Sequence, residues 1–117
     1  MIDEYIDMPA LQGQYKQRQA FVIKLLVLML ESHADVPAKL RQIVEAQDLS
    51  ALAAEAHRLK GAMVMVHAMP LLLQIGEIES SAKSGDPDVF MAAEQYAVIL
   101  EQFLECLQAY LGGQSPD

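Results

Sequence analysis

The sequence predicts an all-α protein, namely an up-down-up-down antiparallel four-helix bundle with a short N-terminal lead-in helix. Apolar residues recur at helical spacing along almost the whole chain. Sustained alternation of apolar and polar residues is absent, and no Asn-Gly or Asp-Gly hairpin turn occurs. The segments between the apolar stripes are short, which favours antiparallel packing of successive helices.

The domain organisation follows from length and composition. A chain of 117 residues with 53% hydrophobic residues predicts one domain with a core of its own. We expect the bundle to occupy about residues 16–111. Residues 1–15 should form the lead-in, interrupted at Gly13, and residues 112–117 a frayed tail.

The first long apolar stripe runs across Pro37. A proline inside a helix removes a backbone hydrogen bond, so the stripe predicts one kinked helix or two helices that meet near Ala34. Asp35 could cap the second of these. The residues expected to be buried are Phe21, Leu25, Leu28, Met29, Val36, Leu40, Ile43 and Val44.

Three further helices complete the predicted bundle. Asp48 and Ser50 are candidate caps of the second, and Pro70 marks the first turn of the third. Within Ser84–Pro87, Gly85 should end the third helix, Asp86 should cap the last and Pro87 should be its first residue. The last helix should end at Gly112-Gly113. The stripes are Leu52, Ala56, Leu59, Met63 and Val66; Leu71, Leu72, Ile75, Ile78 and Ala82; and Phe90, Ala93, Ala97, Leu100, Phe103, Leu104, Leu107 and Leu111.

Composition argues against several classes of protein. The net charge of −8 disfavours a nucleic-acid binder. The longest apolar run, Phe21–Leu30, contains Lys24 and is shorter than the about 20 residues of a membrane span. The N-terminus lacks a signal-peptide pattern, and a single cysteine, Cys106, fits a reducing compartment and a packing role. We therefore expect a cytoplasmic protein without a membrane anchor. We also expect a monomer, although composition does not indicate the oligomeric state.

One stretch of this acidic chain is locally positive. No acidic residue occurs between Ala56 and Gly76, whereas Arg58 and Lys60 do. His57 lies within this stretch, one residue past a core position of the second helix, so its side chain should be accessible. Lys60 and Gly61 follow at three and four residues, on the same helix face.

The face around His57 should be small and apolar, with Ala53, Ala54 and Val64 beside Gly61. A glycine inside a helix costs about 1 kcal/mol relative to alanine, which requires a reason. Gly61 either leaves open space for approach to the imidazole or permits close packing of another helix. We expect Ala53, Ala54, Arg58 and Val64 to contact a partner, and assign Lys39 and Arg41 to the same surface more weakly.

The segment Ala56–Gly61 reads Ala-His-Arg-Leu-Lys-Gly and resembles the AHxLKG motif of histidine-phosphotransfer (HPt) domains of multistep phosphorelays. The resemblance covers about residues 20–111. His67 stands where the family often has glycine, and we expect the turn to survive because histidine is enriched in the left-handed region. Further points of resemblance are Asp48, Leu71, Ile75, Ile78, Glu79 and Gly85-Asp86.

By this resemblance His57 is the phosphorylated residue, Lys60 stabilises the phosphoryl group and Gly61 keeps access open. The resemblance implies response-regulator receiver domains and a hybrid sensor kinase as partners. The receiver would supply the aspartate and the Mg²⁺, with no cofactor on this chain. The chain would then be a phosphocarrier in two-component signalling, without ATP-dependent kinase activity.

Other interpretations stay open at this point. A non-catalytic adaptor could bind a receiver through the same face, and His57 alone could be an ordinary surface histidine. Arg58 could be simply solvated. A metal site of His33, His57 and His67 is disfavoured, because no two of them lie four residues apart on a helix. The seven methionines are typical core filler.

Overall fold

The structure is a computed structural model that describes residues 1–16 and 18–114. Within these residues the chain forms a 3-10 turn over Ile2–Glu4 and six α-helices, and no β-strand. The all-α prediction is therefore confirmed. The helices are α1 Met8–Gln14, α2 Gln19–His33, α3 Val36–Ala46, α4 Leu49–Met65, α5 Met69–Lys83 and α6 Val89–Gly112.

The helices pack as a bundle around one apolar core. The most extensive contact joins α4 and α5, while α6 packs against α2, α3 and α5, and α3 also touches α4. Tyr96 and Phe103 of α6 are fully buried between these helices, and the Tyr96 hydroxyl donates a hydrogen bond to the Leu71 carbonyl at 3.0 Å. Among the described residues, no helix combines the length and the apolar character that crossing a bilayer would require.

The first long stripe forms two helices rather than one kinked helix. α2 ends at His33, and α3 begins at Val36 with Pro37 in its first turn. Asp35 occupies the N-cap position, but its side chain accepts no capping hydrogen bond. Its backbone is near-helical (φ −95°, ψ −3°), whereas a capping residue is normally extended.

Two residues of α2 that the sequence assigned to its buried face are exposed. Phe21 is 40% exposed and Leu28 53% exposed, while Val22 and Leu26 are buried in their place. Apolar residues surround nearly the whole of α2, so periodicity alone could not select the inner face. The remaining residues of that stripe are buried or half-buried: Leu25, Met29, Val36, Leu40, Ile43 and Val44.

The helix that carries His57 follows the prediction closely. Asp48 has an extended backbone, and its carboxylate accepts a hydrogen bond from the Ala51 amide at 3.0 Å, so Asp48 and not Ser50 is the cap. The five predicted core residues of α4 are all buried: Leu52, Ala56, Leu59, Met63 and Val66.

The turn between α4 and α5 contains a residue in the left-handed conformation, as predicted for His67 from the glycine that often occupies this position in HPt domains. His67 has φ +56°, and the Ala68 amide donates to the Met63 carbonyl at 2.9 Å, which closes the end of α4. The His67 carbonyl accepts a hydrogen bond from the Asp7 amide at 3.0 Å. This turn therefore also anchors the N-terminal segment.

The N-terminal segment is part of the core rather than a mere lead-in. Four of its side chains are buried, and α1 continues through Gly13 to Gln14, so the predicted interruption at Gly13 is wrong. Gly13 can stay helical because it lies in the last turn of α1, where few further hydrogen bonds depend on it. The buried side chains are Ile2, Ile6, Met8 and Leu11.

The later boundaries agree with the prediction to within two residues. α5 begins at Met69 with Pro70 in its first turn. Gly85 has φ +80° in the turn that follows α5. The predicted Asp86 cap is wrong, because the Asp86 carboxylate accepts a hydrogen bond from the Asp88 amide in a separate turn, and α6 begins at Val89 rather than at Pro87. Leu72, Phe90 and Leu111 are half-buried, and the other predicted core residues of α5 and α6 are buried. α6 ends at Gly112, and the predicted tail beyond Gln114 lies outside the described residues.

Candidate functional site

His57 projects from α4 next to α5. Its side chain is 72% exposed, although the adjacent Ala56 is fully buried in the core. The imidazole is nevertheless held at one nitrogen, because Nδ1 lies 2.8 Å from Oε2 of Glu79 on α5. The structure thus presents an accessible ring with a fixed partner.

Glu79 is the centre of this site. Its side chain is only 4% exposed, yet it binds three nitrogen atoms from two helices. Nζ of Lys60 lies 2.7 Å from Oε1, and Nζ of Lys83 lies 2.9 Å from Oε2. With His57 Nδ1, these contacts place a buried anion beneath one imidazole and two ammonium groups.

The cations keep Glu79 ionised. Hydrogen bonds from Lys60 and then Lys83 lower the pKa of Glu79 from 4.5 to about 2, and outweigh the burial that would raise it. The hydrogen bond from His57 makes a smaller contribution to the same lowering of the pKa. At neutral pH Glu79 is therefore a carboxylate, which can only accept hydrogen bonds.

This carboxylate determines which nitrogen of His57 can react. Because Glu79 only accepts, the hydrogen of the neutral imidazole belongs on Nδ1, and the lone pair is left on Nε2. The arrangement is that of a histidine oriented by a carboxylate, in which the other ring nitrogen does the chemistry. An exposed nucleophilic Nε2 follows from the geometry.

Gly61 lies one turn after His57, beside open space. A Cβ atom added there would meet no atom of the described residues within 4 Å, so none of the described helices packs against this position. The packing explanation for Gly61 therefore disagrees with the described structure, and the open-access explanation stays a prediction. On α5, Gly76 would place a Cβ 3.8 Å from Cδ of Lys60, so the Lys60 side chain passes Gly76 to reach Glu79.

A second buried carboxylate holds the cations on the other flank of α4. Glu55 is 5% exposed and pairs with Arg58 on α4 and with Nζ of Lys39 on α3 at 2.9 Å. Burial raises the pKa of Glu55, but the hydrogen bonds from Arg58 and Lys39 outweigh it and lower the pKa overall. Lys39 and Arg58 thus stand together on the α3–α4 flank, each about half-exposed.

Arg41 lies elsewhere. Its guanidinium binds Glu101 of α6 through two hydrogen bonds of 2.6 and 2.9 Å. The weak sequence assignment of Arg41 to the surface around His57 is therefore wrong, because this side chain turns towards α6. The sequence pattern could not show this, since it does not indicate which neighbouring helix each flank of α3 meets.

Apolar side chains extend the exposed face of α4. Val64 is exposed, Ala54 is exposed and Ala53 is half-buried, as the position of His57 on the helix implied. Met65 and Leu28, each 53% exposed, were missed as surface residues. Both line a shallow groove between α2 and α4. The signal for Met65 was only partial, because eight residues after His57 corresponds to about 80° round the helix, at the border of the face that carries His57.

The sequence reasoning also missed the partners of Glu79. Glu79 was matched only to a family pattern, and Lys83 received no role. The i, i+4 spacing of Glu79 and Lys83 was the available signal. The link from Glu79 to His57 and Lys60 joins α5 to α4, and no spacing along the chain encodes it.

The three histidines do not come together. His33 is buried on α2, where Nδ1 donates a hydrogen bond to the Met29 carbonyl at 2.9 Å. His67 lies in the α4–α5 turn and contacts Gln14 at the end of α1. Over residues 1–16 and 18–114, no cluster of three or more His, Cys, Asp or Glu side chains has an arrangement suited to a metal ion.

Comparison with known proteins gives one match. The family model described as Hpt domain matches residues 24–112, which include α3 to α6 and most of α2. Neither the curated proteins nor the solved structures gave a significant match.

The ion pairs of Glu79 predict a specific pH dependence of stability. A carboxylate with a lowered folded-state pKa adds stability above its unfolded-state pKa, and loses it as the pH falls towards the folded-state value of about 2. Relative to Glu79→Gln, the wild type should therefore lose free energy of unfolding between about pH 5 and pH 2. Urea unfolding from pH 7 to pH 2 measures this difference.

Glu77→Gln provides the matched control. Glu77 is also on α5, but it is exposed and makes no ion pair with a described residue. This variant is expected to follow the wild-type acid profile. A difference between wild type and Glu79→Gln that stayed constant over the whole pH range would contradict the assigned ion pairs.

Proposed function

Because the chain belongs to the Hpt domain family, we propose that it relays a phosphoryl group through His57 in a two-component phosphorelay. The observation that carries this proposal is the Glu79–His57 contact of 2.8 Å, which leaves Nε2 exposed with its lone pair. The chain acts as a phosphocarrier between His57 and the aspartate of a receiver domain, not as an ATP-dependent kinase.

The transfer step follows from this geometry. The Nε2 lone pair attacks the phosphorus of the receiver's aspartyl phosphate, and a nitrogen–phosphorus bond forms as the phosphorus–oxygen bond to the aspartate breaks. The aspartate carboxylate leaves with the electron pair. The ring keeps its Nδ1 hydrogen and becomes positively charged, opposite the anionic Glu79. Transfer onward is the reverse of this step.

Lys60 supplies positive charge beside the phosphoryl oxygens, which carry negative charge during transfer. Phosphoryl transfer requires positioning and electrostatic stabilisation more than covalent chemistry from the protein. Lys60 follows His57 by three residues on α4, and its side chain is 41% exposed. Its ammonium group can therefore turn from Glu79 to the phosphoryl oxygens. Gly61 leaves the space through which the aspartyl phosphate approaches.

The partner surface surrounds the imidazole. Receiver domains and a hybrid sensor kinase dock on the exposed face of α4, where apolar residues adjoin the cations held by Glu55. A receiver brings the aspartate and Mg²⁺, and this chain supplies no cofactor. The docking residues in this proposal are Ala53, Ala54, Arg58 and Val64, extended by Met65, Leu28 and Lys39.

We also propose that the α2–α3 pair, α4, α5 and α6 are the four legs of an up-down-up-down bundle, as the short connections predict. Such a bundle places α4 between α3 and α5, in agreement with the observed contacts. The chain works in this account as a cytoplasmic monomer.

Replacement of His57 tests the phosphoacceptor assignment. Incubation with a receiver carrying labelled aspartyl phosphate should transfer label to the native chain, in a form that is acid-labile and alkali-stable. His57→Gln should abolish the label while thermal unfolding stays cooperative, because the His57 side chain is mostly outside the core. His67→Asn is the matched histidine control, since asparagine tolerates the left-handed backbone, and it should keep the label.

Two outcomes would contradict this assignment. Label that persists in His57→Gln would place the phosphoacceptor elsewhere. If several receivers bind the native chain but none labels it, the chain is a non-catalytic adaptor on the same face.

Gly61 should show opposite effects on stability and transfer. Gly61→Leu is expected to raise the free energy of unfolding by up to about 1 kcal/mol, because leucine is a better helix former and the position is open. The same side chain stands beside His57 and should slow phosphotransfer by about tenfold or more, because small displacements of reacting groups are costly. Urea unfolding and the initial rate of label transfer measure the two effects.

Gly13→Leu is the control, because Gly13 is also helical and open to solvent but belongs to α1. It should leave the rate of transfer unchanged. A Gly61→Leu variant that transferred label at the wild-type rate would show that Gly61 has no steric role.

A further inference from the structure

Lys60 has two tasks in the proposed reaction that it cannot perform at once. It binds Oε1 of Glu79 at 2.7 Å, and it must neutralise the phosphoryl group on the other side of the imidazole. If Lys60 left Glu79 without another cation, a nearly buried carboxylate would lose its charge partner. An unpaired buried charge is strongly unfavourable, so the carboxylate would hold Lys60 back or leave its position.

Lys83 resolves this conflict. Its Nζ lies 2.9 Å from Oε2 of Glu79, one helical turn further along the same helix. Because both residues belong to α5, their contact does not depend on what happens on α4. The side chain is 63% exposed, so its methylene groups adapt without disturbing the core.

We propose that Lys83 is a positioning residue that keeps Glu79 paired and aimed at Nδ1 of His57 while Lys60 moves to the phosphoryl group. This inference rests on the proposed phosphotransfer through His57. It assigns the two lysines different roles: Lys60 meets the phosphoryl oxygens, and Lys83 acts only through Glu79.

The contacts place Lys83 on the side of the imidazole away from the reaction. Lys83 and His57 Nδ1 bind the same oxygen, Oε2, whereas the phosphoryl group is carried on Nε2. Lys60 binds the other oxygen and shares a helix face with His57. Lys60 is therefore the lysine that is free to follow the phosphoryl group.

The test uses phosphoramidate, a small phosphoryl donor, so that receiver docking does not enter the rate. The full chain is compared with Lys83→Met, Lys83→Arg, Glu79→Gln and the double variant Glu79→Gln/Lys83→Met. Lys24→Met on α2 removes the same charge from an exposed lysine that makes no ion pair with a described residue. Circular dichroism confirms that each variant is folded.

Lys83→Met should slow phosphorylation of His57 by about tenfold, because the loss of one hydrogen bond to a charged group typically has an effect of about this size. Lys83→Arg should restore the rate to within about twofold, because the guanidinium can also pair with Glu79. In the Glu79→Gln background, Lys83→Met should have no further effect, since a neutral amide needs no counter-ion. Lys24→Met should react like the wild type.

Three other results would contradict the role of Lys83 or the proposed function. If Lys83→Met slows the reaction equally in both backgrounds, Lys83 acts directly on the phosphoryl group and this inference is wrong. If Lys83→Met reacts at the wild-type rate, Lys83 has no role. If neither phosphoramidate nor any labelled receiver phosphorylates the native chain, the proposed function itself fails.

Discussion

The buried, ionised carboxylate of Glu79 is the constraint on which the site depends. It lies where α5 packs against α4, and it is nearly inaccessible to water. A charge in that position requires partners, and three nitrogen atoms within 2.9 Å provide them. The same contacts orient His57, hold the Lys60 ammonium near it and give the pair α4–α5 a defined register.

The rest of the helix supports this arrangement. Leu59 and Met63 fix the inner face of α4 in the core, and that packing points His57 outward. Open space lies beside Gly61, one helical turn after His57. Glu55 is a second buried carboxylate on the opposite flank of α4, where it binds Lys39 and Arg58. An otherwise acidic chain thus presents ordered cations on both flanks of α4, beside the exposed His57.

The sequence predicted what depends on local pattern and missed what depends on the assembled bundle. The core stripe of α4 and the Asp48 cap follow from helical period and residue type, whereas the left-handed His67 was expected from the glycine that the family often has at that position. The inner face of α2 did not, because apolar residues cover almost all of its surface. The Glu79–His57 contact joins residues 22 positions apart, and only the packing of α5 on α4 brings them together. Arg41 illustrates the same limit, since its partner Glu101 lies 60 residues away.

The protonation state of the His57 ring tests this account most directly. Long-range ¹⁵N–¹H NMR correlation spectra at neutral to mildly alkaline pH report which ring nitrogen carries the hydrogen. We expect the hydrogen on Nδ1 and, after phosphorylation, coupling of ³¹P to Nε2. A hydrogen found on Nε2, or phosphorus coupled to Nδ1, would contradict the role given to Glu79.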